Sequence, residues 1–310
     1  MALTCLWLAA RFAVFNAATL PAWLPGGLSG GYFVALALIL LKGILSARAH
    51  AKLIFPAVLI LFAAASFALL SETGVLTIIA PLLLLAFLQA FVASRAVPAF
   101  TTNWMQLTRR APLPAVCTTS RMAALLLLAA AILLLTSQRQ TASGILLLGA
   151  VLAMLGTSRG WQSGRALRDP LICSLHLSWY WLIGGLALLG TARLLGAAQL
   201  ETSILHATGI GALSTKIMAI AGRAAARRTG GALVPGHLFL PALVLIWLSA
   251  FARLLPLPFP AFSTTAHLVT ALLWCAGWAL FILYFRPALT GPPLRPVFSG
   301  PKASAEGHPP

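Results

Sequence analysis

Apolar residues come in long runs separated by short polar segments, without the two-residue alternation of a half-buried strand. About ten runs are long enough, or nearly so, to cross a hydrocarbon core at ~1.5 Å per residue. They cover Ala2 to Leu20, Gly31 to Leu45, Leu53 to Leu70, Val75 to Ser94, Met122 to Thr136, Ser143 to Leu155, Leu171 to Leu189, Ser203 to Gly222, His237 to Leu255 and Ala266 to Phe285. The fifth and sixth are short for a crossing, so their ends are expected to extend into the flanking Ser, Thr and Gln residues. The pattern predicts an all-α polytopic transmembrane helix bundle of about ten spans occupying residues 1–287. Beyond it, Pro287, Pro292, Pro293, Pro296 and Pro301 with scattered Gly and Ser cannot bury a core, and 288–310 is expected to be a disordered Pro/Gly-rich cytoplasmic tail.

Composition and charge turn this pattern into a topology. The chain is 60% hydrophobic with only four acidic residues and a mean hydropathy of +0.97, too few charges to cover a soluble core of 310 residues. Sixteen of its Lys and Arg residues lie at the ends of even-numbered spans and in the loops and tail that follow them, whereas the alternate loops hold only Arg139, Arg193 and Arg253. Basic loops are retained in the cytoplasm, so both termini are expected there. The same distribution explains the formal charge of +17 without nucleic acid, which calls for a basic face on a polar domain. No basic segment precedes the first apolar run, which is expected to insert as a signal anchor. Cys5, Cys117, Cys173 and Cys275 contain no C-x-x-C pair and read as reduced packing residues.

Three stretches place polar groups where apolar ones would insert more readily. In the first, Arg95 to Trp104, Pro98 is expected to stop the fourth helix, freeing Thr101, Thr102 and Asn103 to bond local backbone or a ligand; a membrane-exit turn is the alternative. The second, Trp161 to Trp181, places His176 about 8 Å into the membrane, with Tyr180 one turn further on the same face. An imidazole at that depth needs a partner, and ionisable groups within spans mark function more often than packing. The third, Ser203 to Arg223, carries Ala207, Gly211, Thr215 and Ala219 at four-residue spacing, a small-residue stripe that admits a neighbouring helix or, with His206 beside it, a flat cofactor.

Depth limits which imidazoles can act together. His176 and His237 lie towards the cytoplasmic face, His206 and His267 towards the other, so one metal or haem joins partners within a pair more readily than across pairs. His50 and His308 fall in loop and tail. The two cations inside spans, Arg11 and Lys216, are near enough to the cytoplasmic edge to snorkel in part, and Lys216 is also a candidate partner for a propionate or an anionic substrate.

Four stretches in order, LWLAARFAV, SRAVPAFTTNW, SRGWQSGRALRDPLICSLHLSWYWLIGG and HATGIGALSTKIMAIAGRA, resemble the NnrS family. That resemblance implies a bacterial inner-membrane protein associated with denitrification and nitric oxide tolerance, holding haem and copper, with nitric oxide or a respiratory-chain component as partner beside the lipid bilayer. It carries over Arg95, Asn103, His176, Tyr180, His206 and Arg223 as cofactor-site residues, with His176 and His206 (and by depth His237 and His267) as metal or haem ligands and Arg95 and Arg223 as partners for anions. Family members are expected to have about twelve spans, with a Trp- and His-rich region ahead of the point where this chain starts, so the chain reads as a shortened relative. Arg228 stands where the family has histidine and Gly231 where it has arginine, while Lys216 replaces an apolar residue. A secondary transporter or channel, and a scaffold that has lost its cofactor, are the rival readings; the lack of mid-span carboxylates argues against ion coupling by carboxylate.

Overall fold

The computed structural model describes residues 2–70, 79–135, 139–225, 227–229, 232–234 and 236–290. Twelve α-helices dominate these residues: α1 Ala2–Phe15, α2 Trp23–Ser46, α3 Ile54–Leu70, α4 Ile79–Leu107, α5 Thr118–Leu135, α6 Gln140–Ser158, the single-turn α7 Ser163–Ala166, α8 Pro170–Leu194, α9 Glu201–Thr208, α10 Thr215–Ala225, α11 Phe239–Leu254 and α12 Ser263–Thr290. A π-helical segment, Gly209–Ser214, joins α9 to α10, so the three form one continuous rod. Six helical stretches are long and apolar enough to cross a membrane, and α1, α3, α5 and α11 are shorter apolar helices, which together give the ten expected spans.

Several boundaries differ from expectation for local reasons. Helix α1 ends at Phe15 instead of Leu20, because Asn16 folds its side-chain amide back onto the Phe12 carbonyl at 2.9 Å and Pro21 follows. Helices α5 and α6 do reach into Thr118 and from Gln140 to Ser158, as their short apolar cores require. Helix α12 continues to Thr290, past the expected limit of 287; the remainder of the expected tail, 291–310, lies outside the described residues, as do 75–78 of the fourth run and Thr136 of the fifth.

Pro98 does not end α4. The helix passes through it to Leu107, even though the ring removes one N–H bond to the Ser94 carbonyl. Buried packing holds the turn: Val97 and Thr101 are fully enclosed, and the hydroxyls of Ser94 and Thr101 bond back to the carbonyls of Phe91 at 3.1 Å and Val97 at 2.8 Å. Neighbouring helices and Ser/Thr side chains are what make an internal proline tolerable in a span.

Helix α8 is the axle of the bundle. Asp169 caps it, accepting from the backbone N–H groups of Leu171 and Ile172 at 2.9 and 3.0 Å, with Pro170 at the first helical position, where its missing N–H is harmless. It packs against α4, α6, α9 and α10, and α2 with α3, α5 with α6 and α11 with α12 form close pairs. One core cluster gathers α4, α5, α6, α8 and α9 around Leu83, Leu128, Met154, Trp161, Trp179 and Leu182; a second unites α10, α11 and α12 around Met218, Phe239 and Ile246. Large apolar side chains such as Phe12, Leu133, Leu152 and Leu272 are exposed, as a lipid-facing surface requires.

Close approach between spans needs glycine at one position in particular. A side chain at Gly185 would collide with Thr208, whose side chain from α9 rests directly on the α8 backbone there. The small-residue stripe also admits close neighbours: Ala207, Thr215 and Ala219 are buried, Gly211 faces the Trp181 ring, and Thr215 accepts from the Trp247 indole at 3.0 Å.

Between α10 and α11, Arg227–Thr229 pairs antiparallel with Ala232–Val234, with Arg228 opposite Leu233. The four cysteines are free, and Cys5, Cys117 and Cys275 are exposed instead of packed.

Candidate functional site

The basic end of the bundle holds a chain of hydrogen bonds centred on His176. The ring, 2% exposed, has Nε2 2.9 Å from Thr101 Oγ1 and Nδ1 2.9 Å from Ser163 Oγ, and Ser163 Oγ lies 3.1 Å from the Tyr180 hydroxyl. Thr101 has one proton and places it on the Val97 carbonyl. It must therefore accept from His176, whose proton sits on Nε2 and whose Nδ1 accepts from Ser163. Ser163 in turn accepts from Tyr180, which fixes every donor in the series.

Trp161 packs against the imidazole with ring centroids 6.2 Å apart and against Trp179 at 4.9 Å, closing the inner side. On the outer side Ser163 and Tyr180 open onto a polar cavity of about 490 Å³ that Arg159, Gln162 and Gly164 also line. Gln162 holds a left-handed backbone at φ 59°, the turn that delivers Ser163 to the histidine.

The remaining basic-end residues take separate positions. Arg95 is exposed and lies over the Phe91 ring at 4.3 Å; Arg223 is buried and stacks on Phe100 at 4.6 Å. Asn103 is exposed on the last turns of α4, and exposed His237 meets the Tyr284 ring edge-on at 5.7 Å, away from the partners that hold His176.

At the opposite end, His206 uses Nδ1 to donate to the Thr202 carbonyl at 2.8 Å, which leaves the Nε2 lone pair available. His267 lies within electrostatic reach of His206 and Arg253. Seventeen residues of helix separate His206 from Arg223, roughly 25 Å at ~1.5 Å per residue. The candidate residues therefore form two groups at the two ends of the bundle.

Two buried polar arrangements had no counterpart in the sequence reading. Arg193 donates to Glu201 at 2.8 Å and to Ser143 at 2.9 Å, tying α8 to α9 and α6, and both charged residues are enclosed. Arg193 is thus not a loop cation. Its position against the charge pattern, eight residues before one of only four acids, was the available signal. Lys216, far from snorkelling, is buried and points its ammonium at the main-chain carbonyl and side-chain oxygen of Gln89, 3.3 Å from each.

A family model described as NnrS protein matches residues 1–292. The chain belongs to the NnrS family. Its apolar helices make it a membrane protein of that type, and the motifs around Arg95, His176 and His206 lie within the matched region. No curated protein and no solved structure matches the chain. Within the family frame, His176 and His206 have different environments: both nitrogens of the first are committed to hydroxyls, whereas the second keeps a free one.

Proposed function

We propose that this NnrS-family chain is a bacterial inner-membrane protein, with its basic loops cytoplasmic, that binds copper or haem through imidazole and supports nitric oxide tolerance or denitrification. Family membership across residues 1–292 carries the reading. The donor set at the non-basic end suits a metal: a histidine whose Nδ1–H is held by a backbone carbonyl presents Nε2 as the atom that metals take, with His267 within electrostatic reach. Among the described residues no three His, Cys, Asp or Glu side chains gather, and the residues that would hold a metal here are the imidazoles of His206 and His267.

His206 and His267 would hold the metal, which would supply reversible binding of a small diatomic and one-electron chemistry. His176 suits ligation less well, because Ser163 or Thr101 would first have to turn away. Its assigned role is instead to orient Tyr180 and Ser163 at the cavity wall. Arg223, about 25 Å along the rod from His206, is too far to meet the propionates of a haem bound there, so it belongs with the basic-end group.

Absorbance and metal analysis of the purified full chain test the proposal. A Soret band, or bound copper near one per chain, is expected. Absence of both after expression with haem and copper supplied would turn the reading towards transport or scaffolding. Deletion of the gene is expected to slow growth under nitric oxide release, with rescue by this chain; normal growth of the deletion strain would count against the physiological half of the proposal.

A further inference from the structure

Tyr180 lines two cavities of opposite character. On its hydroxyl side is the polar cavity with Arg159, Gln162 and Ser163; on its ring side an apolar groove of about 330 Å³ runs along α8. Leu177, Trp181, Gly184 and Leu188 lie at helical spacing on one face of α8, and Thr208 of α9 and Phe251 of α11 form the opposite wall. From Leu177 to Leu188 the groove follows about 16 Å of helix at ~1.5 Å per residue, through the middle of the span and long enough to take an acyl chain.

The polar cavity contains a guanidinium and no carboxylate. The nearest acid in sequence, Asp169, is occupied in capping α8. Because Tyr180 gives its proton to Ser163, its oxygen faces the cavity as an acceptor. A cation and an amide just beyond the end of α6, with an acceptor oxygen on α8 where the polar cavity meets the apolar trough, match the phosphate of a lipid, a headgroup hydroxyl folded back beside it, and an acyl chain.

The geometry points to a dedicated site for one anionic glycerophospholipid with a hydroxylated headgroup: phosphate on Arg159, headgroup hydroxyl on Tyr180, and one acyl chain in the groove between α8, α9 and α11. This differs from the annular lipid that any span attracts, because both ends of the molecule have built partners. A bound acyl chain would also cover the α8–α9 seam at Gly185, where the Thr208 side chain rests on the α8 backbone.

Gly184 supplies a clean test. It is exposed in the groove, and a Cβ added there meets nothing within 4 Å, so Gly184→Leu fills the trough without disturbing the helices. Native mass spectrometry of the full chain in detergent, titrated with phosphatidylglycerol or phosphatidylcholine of identical acyl chains, is the measurement. The wild type is expected to retain one phosphatidylglycerol at least tenfold more strongly than phosphatidylcholine. Arg159→Gln is expected to remove that preference while leaving phosphatidylcholine unchanged, and Gly184→Leu to weaken both lipids severalfold.

Equal retention of phosphatidylglycerol by wild type and either variant overturns the site. So does equal competition by free glycerol 3-phosphate, which would place the affinity in the head alone, or stronger retention of a neutral prenylquinone than of phosphatidylglycerol. A second readout does not depend on Gly184→Leu folding. Phosphatidylglycerol brominated in its acyl chain is expected to quench the fluorescence that Trp181→Phe removes, and unquenched Trp181 fluorescence overturns the proposal.

Discussion

His176 gives its Nε2 proton to Thr101 across 2.9 Å, and Thr101 passes its own to the Val97 carbonyl one turn before it in α4. The bond links the two helices at a point where α4 has already lost a backbone hydrogen bond to Pro98. Thr101→Val leaves the buried Nε2–H without an acceptor and is expected to cost about 1–3 kcal/mol. Thr101→Ser, which keeps the hydroxyl, is expected to restore most of it. Thermal unfolding in detergent reads the difference, and equal melting of wild type and Thr101→Val would remove the bond from the list of stabilising contacts.

The enclosed pair of Arg193 and Glu201 allows a sharper comparison. Glu201→Gln strands a buried guanidinium and is expected to destabilise by about 3–5 kcal/mol. Replacing the partners together, Arg193→Met with Glu201→Leu, removes both charges and is expected to recover much of the loss. A double variant as unstable as the single one would show that the pair contributes more than mutual neutralisation.

Cys117 precedes α5 in a loop on the basic side, and its thiol is exposed. The Ser120 hydroxyl, 3.2 Å away, holds its pKa below the usual thiol value, so more thiolate is present at a given neutral pH. Ser120→Ala raises that pKa and is expected to slow alkylation at neutral pH by about threefold, with the difference vanishing at alkaline pH, where both thiols are ionised. An impermeant maleimide is expected to label Cys117 only from the cytoplasmic side. Labelling from outside intact spheroplasts would reverse the assigned orientation.

The metal reading separates the histidines. His206→Ala and His267→Ala are each expected to lower copper or haem content severalfold while leaving the chain in the membrane, whereas His50→Ala, in an exposed loop, is expected to change nothing. His176→Ala is expected to lower thermal stability more than cofactor content. If cofactor is lost with His176 and kept without His206, the ligand belongs at the basic end instead.

Hydropathy made the ten spans and their order legible, because the bilayer demands apolar length whatever the tertiary contacts. Tertiary choices were not legible. Pro98 reads as a helix stop by its local chemistry, and only packing around Val97 and Thr101 carries α4 through it. The quoted motif contained Ser163, but its place between His176 and Tyr180 depends on the left-handed turn at Gln162, which no periodicity reveals. Glu201 escaped notice because an acid at a span's edge looks solvated until its partner on the preceding helix is known.

The π-helical stretch Gly209–Ser214 makes span eight a rod with a built-in phase error. A π turn accommodates one residue more than an α turn over the same height, and one residue is worth about 100° of azimuth. Helical wheels drawn straight through the span therefore misplace everything beyond Ser214, including Lys216. Deleting one residue inside the stretch would let it relax to α geometry with both halves still facing as they do now. The same deletion a turn later would leave the π stretch in place and swing the rest of α10, including Arg223, away from Phe100. Length changes in this span are thus tolerable at one place only, which gives a positional rule for comparing it with related chains.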